Sequence, residues 1–232
     1  ERSLAYINAA IGQININLRL PRKQNILHAC MCDGIRRIFA IGDSDIIVSS
    51  AHIITLWHLI EGNFSRGVNF SWPLLFNESG IVIPRALYVY SSVCALFCGE
   101  FQAARTILTM GIRKFFNTDK GLEACLLQAV LANTLIMLGK NSEALEIIRT
   151  LLDVKKFAVS GYIGIWASRG LALHHFLRGD IEASWKAFAH YMENIHRVGT
   201  SHSNYLLAPF VLDLLAAYHE AGYPFLFDHS LE

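Results

Sequence analysis

The chain has 232 residues, of which 53% are hydrophobic and 17% charged, so it has no room for a large disordered part. The formal net charge of +1 argues against a nucleic-acid-binding surface. No uncharged run exceeds the 16 residues between Glu123 and Lys140, a length below the ~20 apolar residues that span a bilayer. Five cysteines without a disulfide framework favour a reducing, cytoplasmic location, and the opening on Glu1 suggests a piece of a longer protein.

Residues 1–43 are predicted to form an N-terminal helix pair. The segment RKQNILHACMCDGIRRIFAIG reads as one helix that ends at Gly42, and SLAYINAAIGQININL would be its partner. The following segment around 66–84 is interrupted by Pro73, Gly80 and Pro84, which predicts a short helix and then an extended link.

A glycine recurs at intervals of roughly forty residues, at Gly62, Gly99, Gly139, Gly179 and Gly222. A long apolar segment precedes each of the three central glycines, and a shorter amphipathic run follows it. Glycine supplies the left-handed backbone that ends one helix, and Asn141 or Asp180 could cap the next one. The predicted unit is therefore a helix, a tight turn and a second helix.

Small residues recur at two fixed positions relative to these glycines. Five residues after the glycine stand Gly67, Ala104, Ala144 and Ser184, and seven before it stand Thr55, Ser92, Ala132 and Ala172, with Leu215 as the exception. Small side chains let two helix axes approach closely where they cross. We therefore expect these two positions to meet within each unit.

This pattern resembles the tetratricopeptide repeat, whose units carry small residues at the helix crossing and a glycine turn. The likeness covers residues 44–222 as about four units and a final helix, with 223–232 as a tail and 1–232 as a single domain. The units are longer than the usual ~34 residues and lack the closing proline. The resemblance implies an all-α, right-handed solenoid of antiparallel helix pairs. Longer units of this kind are similar to the sensor arrays of large ATP-dependent transcriptional regulators of the maltose-activator type.

In such a stack the first helix of each pair lines the concave surface, where a ligand or partner binds. The resemblance places the inward-facing positions at fixed offsets before each glycine. The candidate binding residues are His52, Leu56, Val89, Val93, Leu126, Asn133, Trp166, Arg169, Leu173, Phe176, Leu212 and His219. The set is largely apolar, which suits a protein or peptide partner or a small apolar effector.

Trp166 and Arg169 are the sharpest pair, since residues i and i+3 share a helix face. The arginine could clamp a carboxylate while the indole packs on the ligand. Pairing of Arg169 with an acidic residue of the next helix is the structural alternative, and it is the favoured one.

Catalytic or metal chemistry is not expected. Cys30 and Cys32 point in opposite directions on a helix and cannot share a metal with His28, and Cys94 and Cys98 read as buried core residues.

The sequence therefore predicts a non-catalytic recognition module without a cofactor, a direct nucleic-acid contact or a membrane contact. The alternatives are a self-associating scaffold, such as a homodimer, and a helical enzyme that uses Cys125 or His174 in the groove.

Overall fold

The computed structural model describes residues 24–76, 83–116, 121–153, 161–198 and 208–223, and all regular structure in these ranges is α-helical. The helices are α1 (Gln24–Ile41), α2 (Ser44–Ile60), α3 (Phe64–Leu75), α4 (Arg85–Phe97), α5 (Phe101–Phe116), α6 (Gly121–Met137), α7 (Asn141–Asp153), α8 (Gly161–Leu177), α9 (Ile181–Val198) and α10 (Ala208–Glu220). The predicted all-α class is confirmed. The predicted partner of α1, residues 3–18, lies outside the described residues, as does the 223–232 tail beyond its first residue.

The glycines at the turns have the left-handed backbone that the sequence predicts. Their φ angles are +67° to +78°, for Gly42, Gly62, Gly99, Gly139, Gly179 and Gly222. Around Gly179 the peptide N–H donates to Phe176 O at 2.9 Å, and the next N–H, of Asp180, donates to His175 O at 3.0 Å. These bonds satisfy carbonyls that a helix end would otherwise leave without a partner.

The two predicted helix caps differ in outcome. Asp180 caps α9, because its Oδ1 accepts a hydrogen bond from Ala183 N at 3.1 Å. The prediction for Asn141 was wrong: α7 begins at Asn141 itself, and its Oδ1 lies 3.3 Å from His174 Nδ1. A side chain that bonds to α8 in this way contributes to packing between helices.

The short helix that Pro73 predicts is α3, whose 12 residues end two positions after the proline. Pro73 has no N–H, so α3 lacks the hydrogen bond that this position would donate to Asn69 O, and the helix ends two residues later. Pro84 has an extended backbone, with φ −62° and ψ 141°, and α4 begins at the next residue. Most of the predicted extended link, residues 77–82, lies outside the described residues.

The chain divides into two compact units, the first ending at Gly99 and the second beginning at Glu100. The expectation of a single domain stays a prediction.

In the first unit α2 contacts α1, α3 and α4, and α3 also contacts α4. Ile38, Ile53 and Ile54 form a buried cluster between α1 and α2. Gly67 lies where α3 meets both neighbours: a Cβ added there would be 2.7 Å from Cys94 Sγ and 3.3 Å from His58 Cβ.

In the second unit α6 contacts α5, α7 and α8, α8 contacts α7 and α9, and α9 contacts α10. The group α6, α7 and α8 thus repeats the contacts of α2, α3 and α4, in which a first helix touches both its own second helix and the next first helix. Ala132 and Ala144 are fully buried in one cluster, and Ser184 Oγ donates to Ala172 O at 2.7 Å. In these two helix pairs the predicted small residues are buried where the helices are in contact, and Ala104 is fully buried as well.

Candidate functional site

In the first unit, the predicted concave residues belong to α2 and α4. Leu56, Val89 and Val93 are buried, and His52 is half-buried. His52 Nδ1 lies 3.1 Å from Ser49 O, and burial lowers the pKa of His52 although this backbone contact opposes the shift. Of these four residues, His52 is therefore the one that a ligand could reach without a rearrangement.

In the second unit, the predicted residues range from core to surface. Leu126 and Phe176 are half-buried and His219 is exposed, whereas the side chain of Leu212 lies outside the described residues. Asn133, Trp166, Arg169 and Leu173 are buried, none more than 3% exposed. The reachable part of the predicted surface thus consists of the half-buried and exposed positions. Ligand contact by any of them stays a prediction.

The four buried residues include a polar group that joins two first helices. Asn133 on α6 donates its Nδ2 to Ala129 O at 2.9 Å and to Trp166 O of α8 at 2.8 Å. Its Oδ1 accepts from Arg169 Nη1 at 3.3 Å. One amide side chain therefore bonds to its own helix and to both the backbone and a side chain of the neighbouring repeat.

Arg169 and Trp166 are in contact, as their spacing predicts: the guanidinium carbon lies 5.1 Å from the centroid of the indole. Burial lowers the pKa of Arg169, and the nearby Tyr191 opposes that shift. Burial also raises the pKa of Tyr191 well above its usual range. A cation in such surroundings interacts strongly with any anion that comes close, because the local dielectric constant is low. Pairing with an acidic residue of the next helix stays a prediction.

Burial raises the thiol pKa of Cys125, the cysteine considered for catalysis. Burial also raises the pKa of Cys94, which was predicted to be a core residue, to about 12, with a further contribution from Cys98. The thiolate is the nucleophilic form, so these shifts work against catalysis. His174 is buried, and burial lowers its pKa. The side chains of His28 and Cys30 lie outside the described residues.

Sequence reasoning missed one polar contact at the end of the second unit. Ser184 Oγ lies 2.7 Å from Tyr218 Oη as well as donating to Ala172 O. A carbonyl only accepts, so the single proton of Ser184 goes to Ala172 and the Tyr218 hydroxyl donates to Ser184. The sequence did contain a signal for this contact: Ser184 occupies a crossing position at which the other repeats have glycine or alanine.

Within the described ranges, no three His, Cys, Asp or Glu side chains gather closely enough to hold a metal ion. In the same ranges, no helix combines the length and apolar character that crossing a membrane requires. In comparisons with protein-family models, curated proteins and solved structures, nothing matched this chain.

Proposed function

We propose that this chain is a non-catalytic recognition module, a right-handed solenoid of antiparallel helix pairs resembling tetratricopeptide repeats. In this proposal the surface of its first helices binds a protein or peptide partner or a small apolar effector. The observation that supports the proposal is the side-by-side contact of successive first helices, α2 with α4 and α6 with α8. Such contacts give each of the two compact units a surface that is formed by two successive repeats, and a ligand can bridge these repeats.

The Asn133 group suggests how binding would be transmitted. Because Arg169 is buried, an anionic group of a ligand would reach it only through a rearrangement of α6 and α8, and the loss of its bond to Asn133 would shift the population toward another repeat geometry. The resemblance to maltose-activator-type regulators extends the proposal to the sensor or scaffold segment of a larger cytosolic transcriptional regulator. The raised pKa of Cys125, the cysteine of the enzyme alternative, favours this function over that alternative.

A peptide selection with matched variants tests the proposal. Peptides from a displayed random library would be selected on the purified chain, and their affinities measured for Phe176→Ala and for the control Leu177→Ala. The two residues are adjacent on α8 and point about 100° apart, with Phe176 on the predicted face and Leu177 58% exposed. We expect Phe176→Ala to weaken binding about tenfold and Leu177→Ala to leave it unchanged.

Phe176 packs against the α8–α9–α10 cluster, so helicity and the melting temperature of the variant must be measured alongside. Leu126→Ala, on α6, gives an independent test of the same surface. Failure to select any peptide, or equal losses for Phe176→Ala and Leu177→Ala, would contradict the proposal.

A self-associating scaffold is the second candidate, because the first unit exposes large aromatic residues. Phe39, Trp72 and Phe76 are 47%, 36% and 44% exposed, and the rings of Trp72 and Phe76 are 4.7 Å apart. Exposed aromatic groups of this kind mark interaction surfaces. A molar mass that rises with concentration in light scattering, and no longer does so in Trp72→Ser, would favour this candidate.

A further inference from the structure

A pocket of about 340 Å³ opens between α7, α8 and α9 in the second unit. Its lining residues are Leu152, Ser168, Leu171, Ala187, His190, Glu193 and Asn194. On α8 it uses Ser168 and Leu171, which point about 200° away from Trp166 and Arg169, respectively. The pocket therefore lies on the side of α8 opposite the predicted ligand surface, between the second helices of two repeats.

One part of this pocket is apolar. Leu152 is 48% exposed at the end of α7, Leu171 is half-buried on α8, and Ala187 is 5% exposed on α9. A longer side chain in place of Ala187 would fill part of the pocket. The volume is at the lower end of the range for small-molecule pockets, so it fits a compact apolar group such as a phenyl ring.

The other part of the pocket consists of polar groups of α9 that are already fixed among themselves. Asn194 Nδ2 donates to His190 O at 2.9 Å, and His190 Nδ1 lies 3.2 Å from Glu193 Oε2. Gly164 of α8 leaves room for this arrangement, since a Cβ there would be 2.9 Å from Asn194 Oδ1. The amide is thus held in place from two sides.

With these bonds made, the lining offers mainly acceptors. A carboxylate accepts several hydrogen bonds, so Glu193 keeps an oxygen that His190 does not use. The lining contains one acidic residue and neither lysine nor arginine. This chemistry is complementary to a ligand that donates hydrogen bonds and carries a positive charge.

We propose that this pocket binds a small primary amine with an apolar body, the ammonium group on Glu193 and the apolar body on Leu152, Leu171 and Ala187. The site does not rest on the proposed function, because it uses the opposite side of α8. Loss of one therefore leaves the other intact.

Phenethylamine, 2-phenylethanol and 3-phenylpropionate are suitable probes, because they share a phenyl body and differ in the polar end. We expect the amine to bind about tenfold more tightly than the alcohol, and the carboxylate to bind most weakly. Nuclear magnetic resonance titration of the whole chain should place the amine-induced shifts on α7, α8 and α9.

Glu193→Gln is the decisive variant, with Glu182→Gln as its control. Both glutamates lie on α9, are about equally exposed at 65% and 64%, and pair with a basic residue of their own helix, but Glu182 does not line the pocket. We expect Glu193→Gln to weaken the amine about tenfold and leave the alcohol unchanged, whereas Glu182→Gln changes neither. Equal affinities for amine and alcohol, an unchanged amine affinity in Glu193→Gln, or no shifts at millimolar amine would overturn the proposal.

Discussion

The crossing of α3 with its neighbours in the first unit and the crossing of α8 with α9 in the second occupy equivalent positions in their repeats. At the first, Gly67 has no side chain, and Cys94 Sγ and His58 Cβ occupy the space beside it. At the second, Ser184 places a hydroxyl between Ala172 O and the Tyr218 hydroxyl. The position five residues after the turn glycine therefore requires a small side chain rather than a particular chemical group. The repeats of Gly67 and Ser184 meet that requirement with different contacts.

The largest effect is expected at the polar crossing, for Ser184→Ala. Tyr218 is 3% exposed and its hydroxyl donates to Ser184, so the variant leaves a buried donor without its acceptor. Burial already raises the pKa of Tyr218 to about 12, which keeps the hydroxyl protonated. We expect a loss of about 2 kcal/mol in the free energy of unfolding, measured by urea denaturation.

The double variant Ser184→Ala/Tyr218→Phe separates the hydrogen bond from packing. Removing both partners leaves no buried hydroxyl, so the double variant should be more stable than Ser184→Ala alone. If the double variant loses as much free energy of unfolding as Ser184→Ala and Tyr218→Phe lose together, the hydrogen bond between the two hydroxyls does not stabilise this crossing.

A smaller effect is expected at the apolar crossing, for Gly67→Ala. Helix propensity alone would make this variant about 1 kcal/mol more stable. A Cβ at 2.7 Å from Cys94 Sγ must however displace a fully buried side chain, and we expect a net loss of about 1 kcal/mol in denaturation.

Ala144→Gly is the matched control for propensity, because Ala144 occupies the equivalent position in α7 and is fully buried. It should also lose about 1 kcal/mol, so that both directions of exchange destabilise. Combining Gly67→Ala with Cys94→Ala should recover stability, since the smaller side chain leaves room for the methyl group. Stabilisation by Gly67→Ala alone would show that the steric contact is relieved at little cost.

The sequence predicted these crossings because their determinants are local. The sequence shows a turn glycine and a small residue five positions later, as at Gly179 and Ser184, and the glycine has the expected positive φ. The burial of Trp166 and Arg169 was not visible, because it depends on contacts between helices that are distant in sequence. Asn133 shows the same limit: its position was predicted, but its bond to Trp166 O spans 33 residues.

The pocket on α9 lay outside the sequence prediction for a related reason. Its polar lining residues, such as Glu193 and Asn194, fall on the exposed face of an amphipathic helix, where acidic and amide groups are ordinary. They become a candidate site through Gly164, whose missing side chain on another helix accommodates Asn194. A single sequence does not reveal which exposed polar residue has such a neighbour.

The smallest expected effect is a difference in acid sensitivity between the two crossings. At the apolar crossing, His58 packs beside Gly67, and burial together with the nearby Arg66 lowers the pKa of His58 below the ordinary value for histidine, 6.5. The folded state then binds the proton less readily than the unfolded state, so stability is retained at pH 8 and falls as the pH drops through 6.5. The polar crossing of Ser184 and Tyr218 contains no group that titrates in this range, although His174 on α8 also has a lowered pKa. Hydrogen exchange at pH 7.5 and 5.5, corrected for intrinsic rates, should show greater loss of protection around α3 than around the middle of α9.

The variant His58→Gln should reduce the loss of protection at pH 5.5 in the first unit and leave that of α9 unchanged. An equal loss of protection at both crossings in the unsubstituted chain would mean that His58 does not set the acid response.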